Sequence, residues 1–247
     1  MYDYRAGKKR VIEILNNDLE VIKSNAIPAE EKFTFENAYY GWVTAIFVDI
    51  RDSTTLCSEG NKSKVSKIIR SFTSEVIEIL RNDVNLREIG IRGDCVYAIY
   101  TSPTKNEEFE MANKTFYINT YMKMLNQLLY EKNYPILKVG IGMSTAQELV
   151  IKAGRKNVDI NNLVWIGDAV TKASNLSSLG NKNGYPTIMY SNSSYINFIS
   201  QLEKKNEDAR EWFREYKDEK NGIYHGANIL KVDFNKWINS GMPDKQK

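Results

Sequence analysis

Apolar residues recur three or four positions apart along several stretches of this chain, which is the spacing of a helix with one buried face. Helices are predicted over residues 7–24, 64–84, 107–130, 168–180, 191–202 and 234–238. Runs of β-branched, aromatic and other apolar residues predict strands instead. These runs cover residues 41–50, 86–100, 136–143, 147–152, 186–190 and 223–231. The run 86–100 is predicted to be a hairpin that turns at Gly93-Asp94.

The predicted elements of the first two thirds of the chain follow the order β-α-β-β-α-β, and this alternation is typical of an α/β (α+β) sandwich with helices packed on a sheet. We expect three parts: an N-terminal helix and arm over residues 1–40, a core over 41–190, and C-terminal helices with a final strand over 191–247. The segments 26–40, 51–60 and 154–161 are expected to be irregular, and the charged stretch 203–220 is expected to be a solvated helix face.

Composition and charge narrow the range of partners. The 247 residues are 42% hydrophobic and 26% charged, which is ordinary for a globular protein. A net charge of +3 argues against general binding to nucleic acid, which needs a concentrated basic face. No apolar run approaches the ~20 residues that span a bilayer, and the two cysteines, Cys57 and Cys95, form no spacing motif. We therefore expect a cytoplasmic protein that binds neither nucleic acid nor membrane.

Two aspartates carry the strongest chemical signal. Asp49 ends the apolar run that begins at Trp42, and Asp94 lies in the turn of the hairpin. A carboxylate at a buried strand end is costly unless its charge is compensated, and divalent cations relieve the repulsion between two such groups. Two Mg²⁺ or Mn²⁺ ions held by oxygen ligands suit an in-line displacement at phosphorus. The pair predicts a magnesium- or manganese-dependent nucleotide enzyme, whereas each aspartate alone would be read as a cap or turn former.

The segment after Asp49 offers further contacts. The backbone carbonyl of Ile50 can add a metal ligand, and the next residues lead towards the N-terminus of a helix, where phosphates bind well. The residues expected to contact the substrate there are Arg51, Asp52, Ser53 and Thr54.

Four blocks of the sequence together resemble the class III nucleotidyl cyclase domain. They are Phe47-Val48-Asp49-Ile50 with Ser53-Thr54, Gly93-Asp94-Cys95, Val139-Gly140-Ile141-Gly142, and Trp165-Ile166-Gly167-Asp168-Ala169-Val170-Thr171-Lys172-Ala173-Ser174. The blocks stand in family order between Gly41 and Tyr190. With residues 39–42 and 224–228 included, the whole chain is more similar to the pyrimidine (uridylate or cytidylate) cyclases of the bacterial Pycsar anti-phage defence system.

This resemblance implies a ferredoxin-like βαββαβ sandwich with a central, mostly antiparallel sheet. Asp49 and Asp94 match the family's metal-binding aspartates and Ile50 matches the residue that adds a carbonyl ligand, so two Mn²⁺ or Mg²⁺ ions per site are implied. Because the family's active sites form between subunits, the resemblance also implies a head-to-tail homodimer with two composite sites. One subunit would supply the metals and the other the stretch 167–174.

The chain departs from the family's purine cyclases at four matched positions. Gly90 stands where those enzymes carry a lysine and Val164 where they carry an aspartate, so the residues that read adenine are absent. The family's transition-state asparagine and arginine fall at Thr171 and Asn175. Thr171 is expected to be catalytic, and the missing arginine calls for a substitute. The candidates for that substitute are Arg155, which we favour, Lys156 and Lys172.

The implied activity is conversion of UTP to 3′,5′-cyclic UMP and pyrophosphate, producing a second messenger that a separate effector protein reads during antiviral defence. The alternatives are a cytidylate cyclase that acts on CTP and a degenerate dimer that only senses a nucleotide. A diguanylate cyclase or polymerase palm shares the element order, but this chain has no Gly-Gly-Asp/Glu-Glu-Phe run. By position, the expected neighbours of the base are Phe47, Gly90, Arg92, Val164 and Trp165, with Arg92 as a hydrogen-bond donor.

Overall fold

The computed structural model describes residues 1–59, 61–156 and 160–244, without the side chains of 57–59. Its strands are β1 (Glu20–Ala26), β2 (Asn37–Ile50), β3 (Leu86–Arg92), β4 (Cys95–Thr101), β5 (Val139–Gly154), β6 (Asn161–Ile166), β7 (Ile188–Ser191), β8 (Arg214–Asp218) and β9 (Gly222–Ala227). Its α-helices are α1 (Tyr4–Leu15), α2 (Ser53–Glu59), α3 (Lys62–Arg81), α4 (Lys105–Glu131), α5 (Asp168–Leu179), α6 (Asn192–Glu203) and α7 (Val232–Asn239).

All these strands belong to one sheet, in the order β3-β4-β2-β5-β7-β9-β8, with β1 paired to β2 and β6 paired to β5. Most neighbours are antiparallel, and the parallel pairs are β1 with β2 and β5 with β7. The four strands β5-β2-β4-β3, with α3 and α4 as their connections, form the βαββαβ unit. The predicted fold class, a ferredoxin-like sandwich with a mostly antiparallel sheet, is therefore confirmed.

The strand register places the chemistry-bearing positions in three rows across the sheet, and we name each row by its β2 residue. The Asp49 row is Gly140, Asp49, Cys95 and Arg92; the Phe47 row is Gly142, Phe47, Tyr97 and Gly90; the Ala45 row is Ser144, Ala45 and Ile99, beside which Glu88 pairs with Ile99. Because every second residue of a strand points to the same face, these rows share one face of the sheet.

The two faces of the sheet carry different cores. On one face, α3, α4 and α6 pack against a large cluster that includes Ile46, Val48 and Ile50. On the other face, α5 and the inward side of β6 pack against a smaller cluster that includes Ala45, Ala173 and, at its edge, Phe47 and Trp165. We call this second surface the α5 face. Because α5 and β6 cover this face only in part, side chains of the three rows such as Asp49, Phe47 and Tyr97 are only half-buried.

Glycines of β5 allow α5 to lie directly on the sheet. A Cβ added at Gly140 would come within 2.0 Å of the Ser177 carbonyl oxygen, and one added at Gly142 within 2.0 Å of the Ala173 carbonyl oxygen. The close approach of helix backbone to strand backbone therefore depends on the missing side chains. It places the last turns of α5 beside the Asp49 and Phe47 rows.

Several predicted elements were wrong. The predicted helix 7–24 ends at Leu15, and residues 20–26 form β1, whose alternating burial follows its parallel pairing with β2. Part of the expected loop 51–60 is α2, which begins after Asp52. The two strands predicted over 136–152 are the single strand β5, because the polar residues that interrupt the apolar pattern, such as Thr145, bond inside the sheet.

The charged stretch 203–220 is also not a helix face. It contains a 3₁₀ turn over Ala209–Trp212 and the edge strand β8, which pairs with β9. The strand β6 was not predicted, since residues 154–161 were expected to form a loop and no element was assigned to 162–167. Among the described residues, no helix combines the length and the apolar character needed to cross a bilayer.

Candidate active site

The fold brings Asp49 and Asp94 together. Asp49 lies opposite Cys95 in the antiparallel pair of β2 and β4, and Asp94 immediately precedes Cys95 in the turn of the hairpin. The turn depends on Gly93, whose φ of 64° is a left-handed conformation that glycine adopts without strain. The two carboxylates, 45 positions apart in the sequence, are thus neighbours at one edge of the α5 face.

The electrostatics of Asp49 reflect this proximity. Burial raises the pKa of Asp49, the charge of Arg51 lowers it, and the charge of Asp94 raises it again, so that the pKa lies above its ordinary value. An unfavourable interaction between two half-buried carboxylates is the situation that a shared cation relieves. The adjacent thiol is not a competing nucleophile, because burial raises the pKa of Cys95 to about 12.

The donors at this edge fit Mg²⁺ or Mn²⁺. Both aspartates offer carboxylate oxygens, and the carbonyl of Ile50 lies at the end of β2 directly after Asp49. Oxygen donors in small number are typical of Mg²⁺ sites, where waters and substrate phosphates complete the coordination. Across residues 1–59, 61–156 and 160–244, no group of three or more histidine, cysteine, aspartate or glutamate side chains could hold a metal ion. Two carboxylates and a carbonyl therefore leave coordination positions for waters or for a phosphorylated ligand.

Arg51, expected to contact the substrate, contacts protein groups in this structure. Its Nη2 donates to Asp49 Oδ2 at 2.5 Å and to the Asp49 carbonyl at 3.2 Å. Its Nη1 donates to the Ser178 carbonyl of α5 at 2.9 Å. The side chain is 11% exposed, so the guanidinium is held between β2 and the end of α5.

The neighbouring predicted substrate contacts lie at the start of α2. Asp52 has a φ of 54°, and its carbonyl accepts the first helical hydrogen bond, from Leu56 N at 3.1 Å. Ser53 and Thr54 form the first turn of α2. A cavity of about 420 Å³ opens beside this turn, lined by Arg51, Asp52, Thr55, Leu56, Pro135, Ile136, Leu137 and Lys138. Contacts of these residues with a substrate stay predictions.

An aromatic surface continues the α5 face beyond Asp49. Phe47 and Tyr97 stack with ring centroids 5.4 Å apart and planes 17° from parallel. The Tyr97 ring also covers Gly90, because a Cβ at Gly90 would lie 2.7 Å from the Tyr97 hydroxyl and 2.8 Å from Cζ. Tyr97 therefore occupies the space above the position where the family's purine cyclases carry a lysine. The sequence reasoning missed Tyr97, although its position two residues after Cys95 put it on the same face.

Glu88 is a second residue that the sequence reasoning missed. Its Oε1 accepts from the Tyr97 hydroxyl at 2.7 Å, and its Oε2 accepts from Trp165 Nε1 at 2.7 Å. One carboxylate thereby fixes two aromatic side chains that come from β4 and β6. The alternation of β3 gives a signal, since Glu88 lies two residues before Gly90 and shares its face.

Of the other predicted base contacts, the structure brings only some to the aromatic surface. Arg92 is exposed at the end of β3, in the Asp49 row. Val164 is 39% exposed and alternates with Leu163 and Trp165, which pack inward on the α5 face. The side chain of Val164 therefore points away from Phe47 and Tyr97. Within one chain, the structure brings Phe47, Gly90 and Trp165 together but not Val164.

The predicted catalytic residues outside the aspartate pair do not meet it within one chain. Thr171 is exposed on α5, and its hydroxyl donates to the Gly167 carbonyl at 3.3 Å. Lys172 forms an ion pair with Asp168 at 2.8 Å. Arg155 follows the end of β5, whose other end carries Gly140 of the Asp49 row. Arg155 and Asp49 therefore lie at opposite ends of β5 within one chain.

The start of α5 is held by Glu148, which the sequence reasoning also missed. Glu148 is fully buried on β5, and its Oε1 accepts from Val170 N at 3.1 Å. Gly167 makes room for this carboxylate, because a Cβ there would lie 3.1 Å from Glu148 Oε1. Burial raises the pKa of Glu148, while hydrogen bonds from the backbone of Val170 and Ala169 lower it. A lone glutamate inside an apolar strand is the signal that could have found this anchor.

Comparison with known proteins agrees with this geometry. Residues 35–210 match the model of the adenylate and guanylate cyclase catalytic domain. The chain is 52% identical over 245 residues to a uridylate cyclase from Treponema porcinum, covering 99% of this chain and 84% of the relative. It is 32% identical to a uridylate cyclase from Gulbenkiania mobilis, covering 96% of this chain and 95% of the relative.

A solved structure shares the fold at lower sequence identity. The adenylyl cyclase CyaB from P. aeruginosa superposes with a TM-score of 0.62 at 19% identity, covering 79% of this chain and 98% of that one. The match to the family model spans more than half of the chain and includes Asp49, Asp94, Glu88 and α5. This chain belongs to the adenylate and guanylate cyclase catalytic domain family, the class III nucleotidyl cyclases.

Proposed function

We propose that this chain is a pyrimidine nucleotide cyclase that converts UTP to 3′,5′-cyclic UMP and pyrophosphate. The observation that carries the proposal is the convergence of Asp49 and Asp94 at the edge of the α5 face, beside the stacked rings of Phe47 and Tyr97. The names of the two relatives, both uridylate cyclases, favour UTP as the substrate.

The reaction is an intramolecular displacement at the α-phosphorus. The ribose 3′-oxygen forms a bond to the α-phosphorus, and the hydroxyl proton passes to solvent. The bond between the α-phosphorus and the oxygen that bridges it to the β-phosphate breaks, and pyrophosphate leaves. Two Mn²⁺ or Mg²⁺ ions, when bound, would lower the pKa of the 3′-hydroxyl and offset charge on the leaving pyrophosphate. Asp49, Asp94 and the carbonyl of Ile50 would hold these ions, and Ser53 and Thr54 would lie along the triphosphate.

The base would bind against the surface formed by Phe47, Tyr97 and Trp165. An aromatic face stacks on any base, so stacking alone does not choose among nucleotides. The Tyr97 ring above Gly90 narrows the space, which favours a pyrimidine over the larger purine. Arg92, which is exposed at the end of β3 in the Asp49 row, would donate a hydrogen bond to a uracil carbonyl.

The complete site would form between two copies of the chain. Thr171 is exposed on α5 and Arg155 lies beyond the far end of β5, so neither reaches Asp49 of its own chain. In a head-to-tail homodimer each Asp49–Asp94 pair would face the partner's α5. The exposed apolar residues Ile160, Val164 and Ile166 around β6 offer surface for such an interface.

The test is incubation of the protein with each of the four ribonucleoside triphosphates and Mn²⁺, followed by identification of the products. We expect cyclic UMP from UTP, and no product from Asp49→Ala or Asp94→Ala with the fold retained. Asp18→Ala, an exposed aspartate outside the site, is the matched control and should keep full activity. Cyclic CMP as the main product would reassign the base. Nucleotide binding without pyrophosphate release would indicate a sensing module instead.

The resemblance to defence cyclases supports a biological role in antiviral defence. Cyclic UMP would act as a second messenger that a separate effector protein reads during bacteriophage infection. Bacteria that carry the wild-type gene with a matching effector should accumulate cyclic UMP after infection, and bacteria that carry Asp49→Ala should not. Equal cyclic UMP levels in infected and uninfected cells would contradict this role.

A further inference from the structure

The Arg51 guanidinium connects Asp49 to the last turn of α5, which is 127 residues away in the sequence. It donates two hydrogen bonds to Asp49, one to the carboxylate and one to the carbonyl, and one to the Ser178 carbonyl. The Asp49 side chain is 27% exposed and the Arg51 side chain 11%, so the arginine is the more buried partner. Its position is therefore set by the protein and not by solvent.

Two features of the fold hold the guanidinium in this place. Ser178 lies in the last turn of α5, where carbonyls have no partner within the helix and the helix dipole favours a cation. Gly140 leaves the space, because a Cβ there would come within 3.2 Å of Arg51 Nη2. These three acceptors hold Nη1 and Nη2 between β2 and α5, and the Nε of Arg51 is buried without a partner among the described residues.

We propose that Arg51 is a positioning residue that orients Asp49 for metal binding and does not itself bind the triphosphate. The guanidinium holds Oδ2, which would leave Oδ1 and the remaining lone pair of Oδ2 as ligands for a cation. Hydrogen-bond partners of metal-binding carboxylates have this role in other metal sites. The inference rests on the proposed function, because it needs Asp49 to be a metal ligand.

The test measures Mn²⁺ binding to the nucleotide-free protein by the loss of the free Mn²⁺ signal in electron paramagnetic resonance. Arg51→Lys keeps the charge but loses the planar fork that reaches both Asp49 and Ser178. We expect it to bind Mn²⁺ about tenfold more weakly than wild type. Arg51→Gln, which keeps one donor, should also bind more weakly. Arg70→Lys on the exposed side of α3 is the matched control and should bind as wild type does.

Kinetics separates this role from phosphate binding. If Arg51 positions Asp49, the Arg51→Lys variant needs a higher Mn²⁺ concentration for its half-maximal rate. At saturating Mn²⁺ it has a lower kcat and an unchanged KM for UTP. A raised KM for UTP with unchanged Mn²⁺ binding would overturn the inference and make Arg51 a phosphate ligand. Unchanged or tighter Mn²⁺ binding in both variants would also overturn it. As a control, circular dichroism melting would establish that each variant is folded at the temperature of the titration.

The two proposals fail in different ways. If Asp49→Ala binds Mn²⁺ as tightly as wild type, the metal site itself is wrong and the proposed function loses its support. If wild type needs Asp49 and Asp94 for Mn²⁺ but Arg51→Lys binds as wild type does, the proposed function stands and only the role of Arg51 is refuted.

Discussion

The indole Nε1 of Trp165 donates to Glu88 Oε2 at 2.7 Å, which joins β6 to β3 across the α5 face. The same carboxylate accepts from the Tyr97 hydroxyl, so the bond is one half of a clamp that fixes two aromatic rings. Phe47 stacks on one of these rings. The shape of the aromatic surface is thus determined by a single half-buried glutamate.

Replacement of Glu88 by Ala should disturb this surface. Alanine has no acceptor, so Tyr97 and Trp165 both lose their partner, and each lost hydrogen bond to a charged group costs about 2 kcal/mol. We expect a several-fold rise in the KM for UTP with a smaller change in kcat, because the clamp touches no reacting atom. Steady-state kinetics measures both. Glu75→Ala on the exposed side of α3 is the control, and an unchanged KM in Glu88→Ala would show that the clamp does not shape the base site.

Replacement of Gly140 by Ala should separate α5 from the sheet. The added Cβ would lie 2.0 Å from the Ser177 carbonyl oxygen and 2.8 Å from that of Gly180, and backbone atoms cannot move aside as a side chain can. We expect a loss of about 2–3 kcal/mol in the free energy of unfolding, measured by urea denaturation. Ser144→Ala in the same strand should be neutral, since its buried hydroxyl has no hydrogen-bond partner among the described residues. Equal stability of the two variants would contradict the tight contact.

The backbone at Asp52 gives a third prediction. Its φ of 54° is a left-handed conformation that costs residues with a Cβ about 1 kcal/mol relative to glycine. Asp52→Gly and Asp52→Ala both remove the carboxylate, so their difference isolates the backbone effect. We expect Asp52→Gly to be the more stable by about 1 kcal/mol in thermal or urea denaturation. Greater stability of Asp52→Ala would show that this residue leaves the left-handed region in solution.

Glu108 should make the stability of the protein depend on pH. It is 3% exposed in the first turn of α4, where Asn197 Nδ2 donates to its Oε1 at 2.8 Å. Burial raises the pKa of Glu108 from 4.5 to about 7. Between these two values the folded protein keeps a proton that the unfolded chain has released, so the free energy of unfolding falls as the pH rises from 4.5 to 7. The fall attributable to this group is about 3 kcal/mol at most.

The Glu108→Gln variant tests this pH dependence. Glutamine cannot ionise and still accepts from Asn197, so it should be more stable than wild type above pH 7 and similar below pH 5. Urea denaturation at pH 5 and pH 8 gives the comparison. Glu107→Gln, the exposed neighbour in the capping box of α4, would lose some helix capping but should show the same pH trend as wild type. A wild-type protein whose stability does not change over this range would contradict the raised pKa.

The βαββαβ order could be read from the sequence because each long element carries its own pattern. Residues 64–84 and 107–130 have helical spacing throughout, and α3 and α4 match them closely. The pattern failed where a short segment depends on a distant partner. Residues 20–26 could continue a helix by their spacing, but pairing with β2 makes them a strand. Polar residues such as Thr145 interrupt the apolar run of β5. The strand nevertheless continues through them, because the Thr145 hydroxyl bonds to the Thr44 hydroxyl inside the sheet.

The two aspartates and their settings could be predicted from the amino-acid sequence, because a strand end and a tight turn are formed by residues adjacent in the chain. The contacts of Glu88 with Trp165, 77 residues away, and of Arg51 with Ser178 of α5 could not be predicted in this way. These contacts depend on which strands are neighbours and on the glycines that let α5 approach the sheet. Local patterns record which face a residue takes, whereas the choice of its partner is made by the packing of the whole sheet.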